Sequence, residues 1–239
     1  MKSRKSISKS HKLHCTLGRR PTKAVIFGRC RVSGMWAVYQ MLKQMKGIEV
    51  LAVYAPVGDK LYEYAEIFHN DVRASGTLRS FSMPQDADLI IATHSHDFIS
   101  SKVRNRLRLG AIGYHPSLLP RHRGRDAVEW TLQMRYPVVC CTVFWLNDTV
   151  DGRPIARQNW CWVHPDDTAS ELWRWELFPM GLRLIRETLE EIMSGTLRMV
   201  DQNTELATWE PALDGAPKLF RPELLQIDNA YYGLKYVKV

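Results

Sequence analysis

Two stretches of the chain carry residue types and spacings that can do chemistry. The first is Gly113-Tyr-His115-Pro-Ser117-Leu-Leu-Pro120-Arg-His-Arg-Gly124. A histidine at the end of an apolar run, stiffened by two prolines beyond it, is held at a sheet edge with its ring aimed outward. Such a ring can move a proton or meet a developing negative charge, and it can equally be a structural histidine satisfied by its neighbours. Its companion is Asp151, in the polar turn Asn147–Pro154. An aspartate in a hairpin ordinarily serves the turn itself, so the pair acquires chemical meaning only if the fold brings the two together.

The second stretch is His94-Ser95-His96-Asp97, directly after the apolar run Leu89–Ala92. Open α/β sheets place ligands at the carboxyl ends of their parallel strands, which makes this a candidate pocket wall. H-x-H also puts two imidazoles on one side of an extended chain, a spacing that can bind zinc. The other histidines offer no second cluster, so no metal is expected, and plain loop chemistry is the remaining alternative. A third place, Gly28-Arg-Cys-Arg-Val-Ser-Gly34, joins a strand to a helix and can hold an anion on backbone amides. It is not G-x-G-x-x-G, and no acidic residue closes the second strand. That disfavours a nicotinamide site and leaves a tight turn as the simpler reading.

The elements that must position these residues follow from periodicity. Ala24–Phe27, Val50–Val53, Leu89–Ala92 and Ala111–Tyr114 read as strands, with a further short strand expected near Leu78–Phe81. Helical spacing covers Met35–Met45, the region around Lys60–His69, Ser100–Leu107 and Arg125–Arg135. Strands alternating with helices imply a parallel sheet with right-handed crossovers. Two long β runs follow, Val138–Leu146 and Ile155–Val163, joined by the turn that holds Asp151. A long amphipathic helix is expected over Thr168–Met193, capped by Asp167 or Thr168 with Glu171 close behind, ended by Gly195, and kinked near Pro179 and Gly181. Beyond it, Thr196–Val200 and Ala207–Trp209 are short strand candidates. The fold class is therefore α/β: a mostly parallel twisted sheet with helices on both faces, an antiparallel extension and a short C-terminal appendage.

The chain has 239 residues with 45% hydrophobic and 24% charged side chains, enough for one sizeable core and unlike collagenous, disordered or disulfide-scaffold compositions. No apolar run approaches a membrane span. Five cysteines (Cys15, Cys30, Cys140, Cys141, Cys161) form no C-x-x-C pair. With no signal-peptide pattern they read as buried free thiols, and a cytoplasmic setting is expected. The net charge of +8 comes from 33 Lys+Arg against 25 Asp+Glu. Residues 1–23 hold eight of those cations and no acid, so the remainder balances at 25 against 25. Charge and periodicity together divide the chain into a basic arm over 1–22, an α/β domain over 23–195 and a short extension over 196–239. A like-charged arm is expected to be solvated and unstructured; recruitment of RNA or another anionic partner through Lys2–Lys23 is the functional alternative, and a transit peptide is disfavoured.

The element His115-Pro-Ser-Leu-Leu-Pro120, with Gly124 after it and an aspartate 36 residues later in a strand–turn–strand, resembles the formyltransferase catalytic domain. Tyr114, Trp130-Thr-Leu132, Phe144-Trp145, Gln158, Pro165-Asp-Asp-Thr168 and Leu177-Phe-Pro179 extend the resemblance over roughly residues 22–195. Glycinamide ribonucleotide, methionyl-tRNA and sugar N-formyltransferases share that domain, and the nearest form is the folate-hydrolysing N-terminal domain of 10-formyltetrahydrofolate dehydrogenase. The resemblance implies a Rossmann-like fold and 10-formyltetrahydrofolate as formyl donor. It implies His115 and Asp151 as catalytic residues: the histidine holds the developing oxyanion, and the aspartate orients water or accepts protons. It also implies a pterin pocket between the loop after Leu89–Ala92 and the turn before Asp151, here His94, Ser95, His96 and Phe98 on one side and Asp148 and Val150 on the other.

Two positions depart from the family pattern. The family has an Asn two residues before the histidine, where this chain has Gly113; losing one preorganised oxyanion donor costs on the order of 10²–10³ in rate. The dehydrogenase-type domain also lacks that Asn. The family turn D-x-G is here Asp151-Gly152-Arg153, which puts a cation beside the carboxylate. Transfer to an amine is the first expectation and hydrolysis the second. A fold that binds without turning over, with an RNA or acidic-protein partner, is a third, and a zinc hydrolase on His94 and His96 is disfavoured. Residues 196–239 are expected to be too few for a tRNA-binding or aldehyde dehydrogenase domain, and nothing in the sequence identifies the acceptor.

Overall fold

The computed structural model describes residues 11–12, 20–28, 34–68, 70–93, 95, 97–148, 151–152 and 154–213. In chain order the elements are β1 (His11–Lys12), β2 (Thr22–Phe27), α1 (Gly34–Gln44), β3 (Ile48–Ala55), α2 (Lys60–Ile67), β4 (Asp71–Ala74), β5 (Leu89–Ala92), α3 (Ser101–Arg104) and β6 (Gly110–His115). They continue with α4 (Ala127–Gln133), β7 (Val138–Trp145), β8 (Ile155–Trp162), α5 (Ala169–Leu172), α6 (Phe178–Ser194) and β9 (Arg198–Met199). Seven strands form one sheet in the order β4-β3-β2-β5-β6-β7-β8. The pairs from β4 to β6 are parallel, and β7 and β8 add on antiparallel.

The apolar runs become central strands because they face a core on both sides. Along β2, Ala24 and Ile26 point into one cluster and Val25 and Phe27 into the other. Leu89 and Ile91 of β5 likewise oppose Ile90. This is the period-2 alternation of a pleated strand buried on both faces. Helices α1, α2 and α6 pack on the first face through Met35, Leu42, Leu61, Leu184 and Leu189. On the second, α3 and the chain from Met83 to Ala87 close over Phe27, Tyr54 and Ile90.

Three local findings differ from the sequence expectation. The strand expected near Leu78–Phe81 is instead β4, Asp71–Ala74, and residues 78–81 are loop and turn. An edge strand needs only one inward side chain, here Val72, so its sequence lacks an apolar run. Arg73 pins it, reaching Asp71, the Ser82 carbonyl and the Tyr54 hydroxyl, the last at 2.9 Å. The long helix after Thr168 runs unbroken to Ser194, but it is not α-helical throughout. A capping box between Thr168 and Glu171 starts it, but Trp173–Leu177 forms a π-helical turn before Pro179. Proline has no N–H to give to the preceding turn, and the widened turn sends the Phe178 N–H back to the Trp173 carbonyl instead. Third, the boundary of the basic arm moves. Thr22 already lies in β2, Arg20 pairs with Asp88 at 2.9 Å, Lys23 pairs with Asp86 at 3.0 Å, and residues 11–12 pair with β9. Residues 1–10 and 13–19 lie outside the described residues, and the RNA or anionic partner expected of the arm lies with them. So do Cys15, Cys30 and the loop Arg29–Ser33.

Among the described residues no helix is long and apolar enough to cross a membrane.

Candidate active site

β6 delivers His115 to the carboxyl end of the sheet, opposite Thr142 of β7 in the strand register, with its ring buried. The chain that follows is fixed by its own carbonyls. Thr142 Oγ1 donates to the Ser117 carbonyl at 2.7 Å, Gln158 Nε2 to the Leu119 carbonyl at 3.0 Å, and Ser117 Oγ to the Arg121 carbonyl at 2.7 Å. Ser117, Thr142 and Gln158 therefore shape the loop rather than the chemistry. The loop closes through two residues in the left-handed region, His122 (φ 52°) and Gly124 (φ 95°). A Cβ on Gly124 would also press on the Trp209 ring at 3.3 Å.

That turn aims the His122 carbonyl at His115 Nε2, 2.6 Å away. A carbonyl only accepts, so Nε2 carries the hydrogen and the lone pair of a neutral His115 lies on Nδ1. Nδ1 faces Asp151, whose Oδ2 is 3.8 Å away. Asp151 itself sits at φ 50°, and its Oδ2 accepts the Gly124 N–H at 2.9 Å. The two residues singled out from sequence, 36 apart, are thus adjacent in space, with a gap between them wider than a hydrogen bond.

They stand at one end of a cavity of about 650 Å³, a size typical of small-molecule sites. Ser95, Asp97, Phe98, Arg125, Asp126 and Asn147 line it with them. Ser95 and Phe98, expected from sequence as pocket wall, line this cavity. Asp148 does not: its carboxylate turns away to Arg104 Nη2 at 2.7 Å, and Asn147 takes the wall position. The reason is Arg104, whose guanidinium is buried and needs both Asp148 and the Ile99 carbonyl as acceptors. His94, His96 and Val150, also expected on the wall, lie outside the described residues, as does Arg153. Among the described residues no group of three or more His, Cys, Asp or Glu could hold a metal ion. Asn147 opens the turn expected to form this wall, whereas Arg125 and Asp126 read as ordinary loop polarity, their only signal being adjacency to the His115 motif.

Gly113 is a wall residue with a reason. A Cβ there would lie 2.8 Å from Leu146 Cδ2 and 3.0 Å from the Phe144 ring. The space that a polar side chain at this position would use is filled by two apolar ones. Behind His115, Tyr114 is buried, its hydroxyl 3.0 Å from Cys141 Sγ and donating to the Leu177 carbonyl at 3.2 Å. Burial, and then the neighbouring thiol, raise the Tyr114 hydroxyl well above its usual pKa. Burial likewise raises the Cys140 thiol to about 12 and the Cys141 thiol further. These groups are packing, and they supply no nucleophile at neutral pH.

Residues 37–175 match the family model described as "Formyl transferase". Over 126 residues the chain is 38% identical to the cytosolic 10-formyltetrahydrofolate dehydrogenase of Xenopus laevis, covering 53% of this chain and 14% of that protein. It thus spans about a seventh of the length of that relative. The methionyl-tRNA formyltransferase of Lactobacillus delbrueckii is 27% identical over 165 residues, 69% of this chain and 52% of that one. Among solved structures, the phosphoribosylglycinamide formyltransferase of Anaplasma phagocytophilum shares the fold with a TM-score of 0.66 at 17% identity, covering 79% of this chain and 96% of that one. The family match takes in β6, the His115 loop and Asp151 within more than half of the sequence, and by it the chain belongs to the formyl transferase family.

Proposed function

We propose that this protein transfers the formyl group of 10-formyltetrahydrofolate to an amine. The observation that carries the reading is the His115–Asp151 pair, 3.8 Å apart at the end of a cavity of about 650 Å³. The donor fits what lines the cavity. Phe98 stands 70% exposed and offers an aromatic face to a flat ring, and Asp97 Oδ2 is buried with no hydrogen-bond partner among the described residues, ready to accept from a ring N–H. Ser95 and Asn147 add polar groups to the lining. The donor supplies an activated formyl carbon: a bond forms from it to the acceptor nitrogen, its bond to N10 of the folate breaks, and one proton passes from the amine to N10.

The chain's own residues manage charge and proton. His115 Nδ1 is free to take a proton while Nε2 remains tied to the His122 carbonyl. Once protonated, Nδ1 can donate to a carbonyl oxygen that is gaining charge, and Asp151 Oδ2 sits beside it to balance the imidazolium. The Gly124 N–H keeps that carboxylate aimed.

Hydrolysis of the same donor is the second reading, favoured by one observation. Leu146 and Phe144 occupy the space beside Gly113 and leave no side-chain amide there. A cytoplasmic setting belongs to either reading, supported by the free thiols of Cys140, Cys141 and Cys161.

The test incubates the purified protein with 10-formyltetrahydrofolate, with and without a panel of primary amines, and follows tetrahydrofolate and formate. Tetrahydrofolate that appears only with an amine, without formate, is the expected result. Formate produced without amine assigns hydrolysis. Release in neither condition contradicts both.

A further inference from the structure

The chain after α6 reaches back to the active site, although it lies outside the span that matches the family model. Val200 pairs with Ile155 at the start of β8, and beyond it Gln202, Thr208, Trp209 and Glu210 touch the turn of Asp151 and the loop after His115. Gln202 Nε2 donates to the Asp151 carbonyl at 2.8 Å, and its Oε1 accepts from Arg123 Nη2 at 2.7 Å. Thr208 is hydrogen-bonded three times to the loop: its Oγ1 accepts the His122 N–H at 2.8 Å, its carbonyl accepts the Arg123 N–H at 3.1 Å, and its N–H donates to the Pro120 carbonyl at 3.2 Å. Glu210 Oε1 lies 3.1 Å from His122 Nδ1, both side chains buried. The Pro211 carbonyl then accepts Trp130 Nε1–H at 2.8 Å.

We infer that residues 202–211 are a positioning clasp for the catalytic pair, with Thr208 and Glu210 setting His115 through His122 and Gln202 setting Asp151 through its backbone. His122 holds a left-handed backbone at φ 52°, a costly conformation for a side chain-bearing residue that persists only when its surroundings impose it. Thr208 imposes it by hydrogen bonds along the backbone, and the Glu210 carboxylate lies against the ring at ion-pair distance, without the alignment of a hydrogen bond. The product of that conformation is the carbonyl that keeps the hydrogen of His115 on Nε2 and the lone pair on the side facing Asp151. This inference rests on the proposed catalytic role of His115, and its test is separable from that role.

The test uses the full chain without ligand. The His115 ring is observed by ¹⁵N-edited NMR, its signals assigned by their loss in His115→Asn. The wild type is expected as a single neutral tautomer with hydrogen on Nε2. Thr208→Val, which keeps the shape and removes the acceptor, and Glu210→Gln, which keeps the shape and removes the charge, are each expected to give a mixture of tautomers, and Thr208→Ser to restore the single form. If formyl release is active, kcat in Thr208→Val falls by on the order of 10²-fold while KM for the donor stays within about twofold, as expected of a misplaced catalytic group. A single unchanged His115 tautomer in folded Thr208→Val and Glu210→Gln overturns the clasp. Absence of formyl release in the wild type counts against the catalytic proposal and leaves the tautomer measurement to decide this one.

Discussion

A proton held on Nε2 by a main-chain carbonyl decides what the other side of the His115 ring can do. With Nε2 committed to His122, only Nδ1 can exchange a proton at the cavity, and Asp151 Oδ2 at 3.8 Å is the carboxylate beside it. Asp151→Asn keeps an oxygen for the Gly124 N–H and removes the charge, so it is expected to leave folding intact and lower the rate of formyl release by about 10²–10⁴-fold, the range of a lost acid–base partner; circular dichroism and turnover on the same sample check both halves. The apolar filling beside Gly113 gives a second prediction. Gly113→Asn alone forces atoms into Leu146 and Phe144 and is expected to cost about 1–3 kcal/mol of stability, as overpacking does. Gly113→Asn with Leu146→Ala removes the nearest obstacle, and denaturant unfolding is expected to recover most of that loss. If the single substitution is neutral, the space is not filled as described.

The cavity walls belong to different elements, and Arg104 of α3 joins them. Its guanidinium is buried and bonds the Ile99 carbonyl on one wall and Asp148, beside Asn147, on the other. Because Asp148 is 66% exposed, Asp148→Ala is expected to cost only about 0–1 kcal/mol. Arg104→Met leaves the buried Ile99 carbonyl without its donor and is expected to cost about 1–3 kcal/mol and to raise KM for the folate donor more than it lowers kcat. Equal effects of the two substitutions on thermal unfolding would contradict this ranking. Elements of this kind divide by how far their determinants lie in sequence. The strands Leu89–Ala92 and Val138–Trp145 were legible because burial on both faces demands unbroken apolar runs, and the cap at Thr168 because its partner Glu171 is three residues away. β4 was not, since an edge strand held by Arg73 and one apolar residue writes no pattern. The π turn before Pro179 was read only as a kink, because proline reports a missing N–H but not where the neighbouring amides go.

Across the whole molecule, the proposed catalytic pair and the charge clamp lie at opposite ends of the sheet. His115 and Asp151 occupy the carboxyl end, whereas Asp88, just before β5, gathers Arg20 at 2.9 Å, Arg108 at 2.8 Å and the Lys23 N–H at 3.0 Å. Burial alone would raise the Asp88 pKa, but the bonds from Arg108 and Lys23 and the nearby Arg20 outweigh it and hold the carboxyl below its ordinary value of 3.8. A carboxylate lowered on folding stabilises the fold above its unfolded pKa, and that contribution is lost as pH falls through the folded one. Asp88→Asn is therefore expected to lower the unfolding temperature at pH 7 and to narrow its gap to wild type progressively below about pH 4; a gap that widens on acidification would contradict this. The same long-range logic explains what the sequence could not disclose of the site. His115 and Asp151 stood out through local motifs, whereas Gln202, Thr208 and Glu210 are unremarkable polar residues until the chain folds back on them.

The most direct test of the account compares the wild type with His115→Ala for release of tetrahydrofolate from 10-formyltetrahydrofolate, each shown folded by its unfolding temperature. The account predicts measurable release by the wild type and a loss of about 10²–10⁴-fold in the variant. Equal rates in the two proteins would contradict it, because the reaction would then owe nothing to the ring at the end of β6.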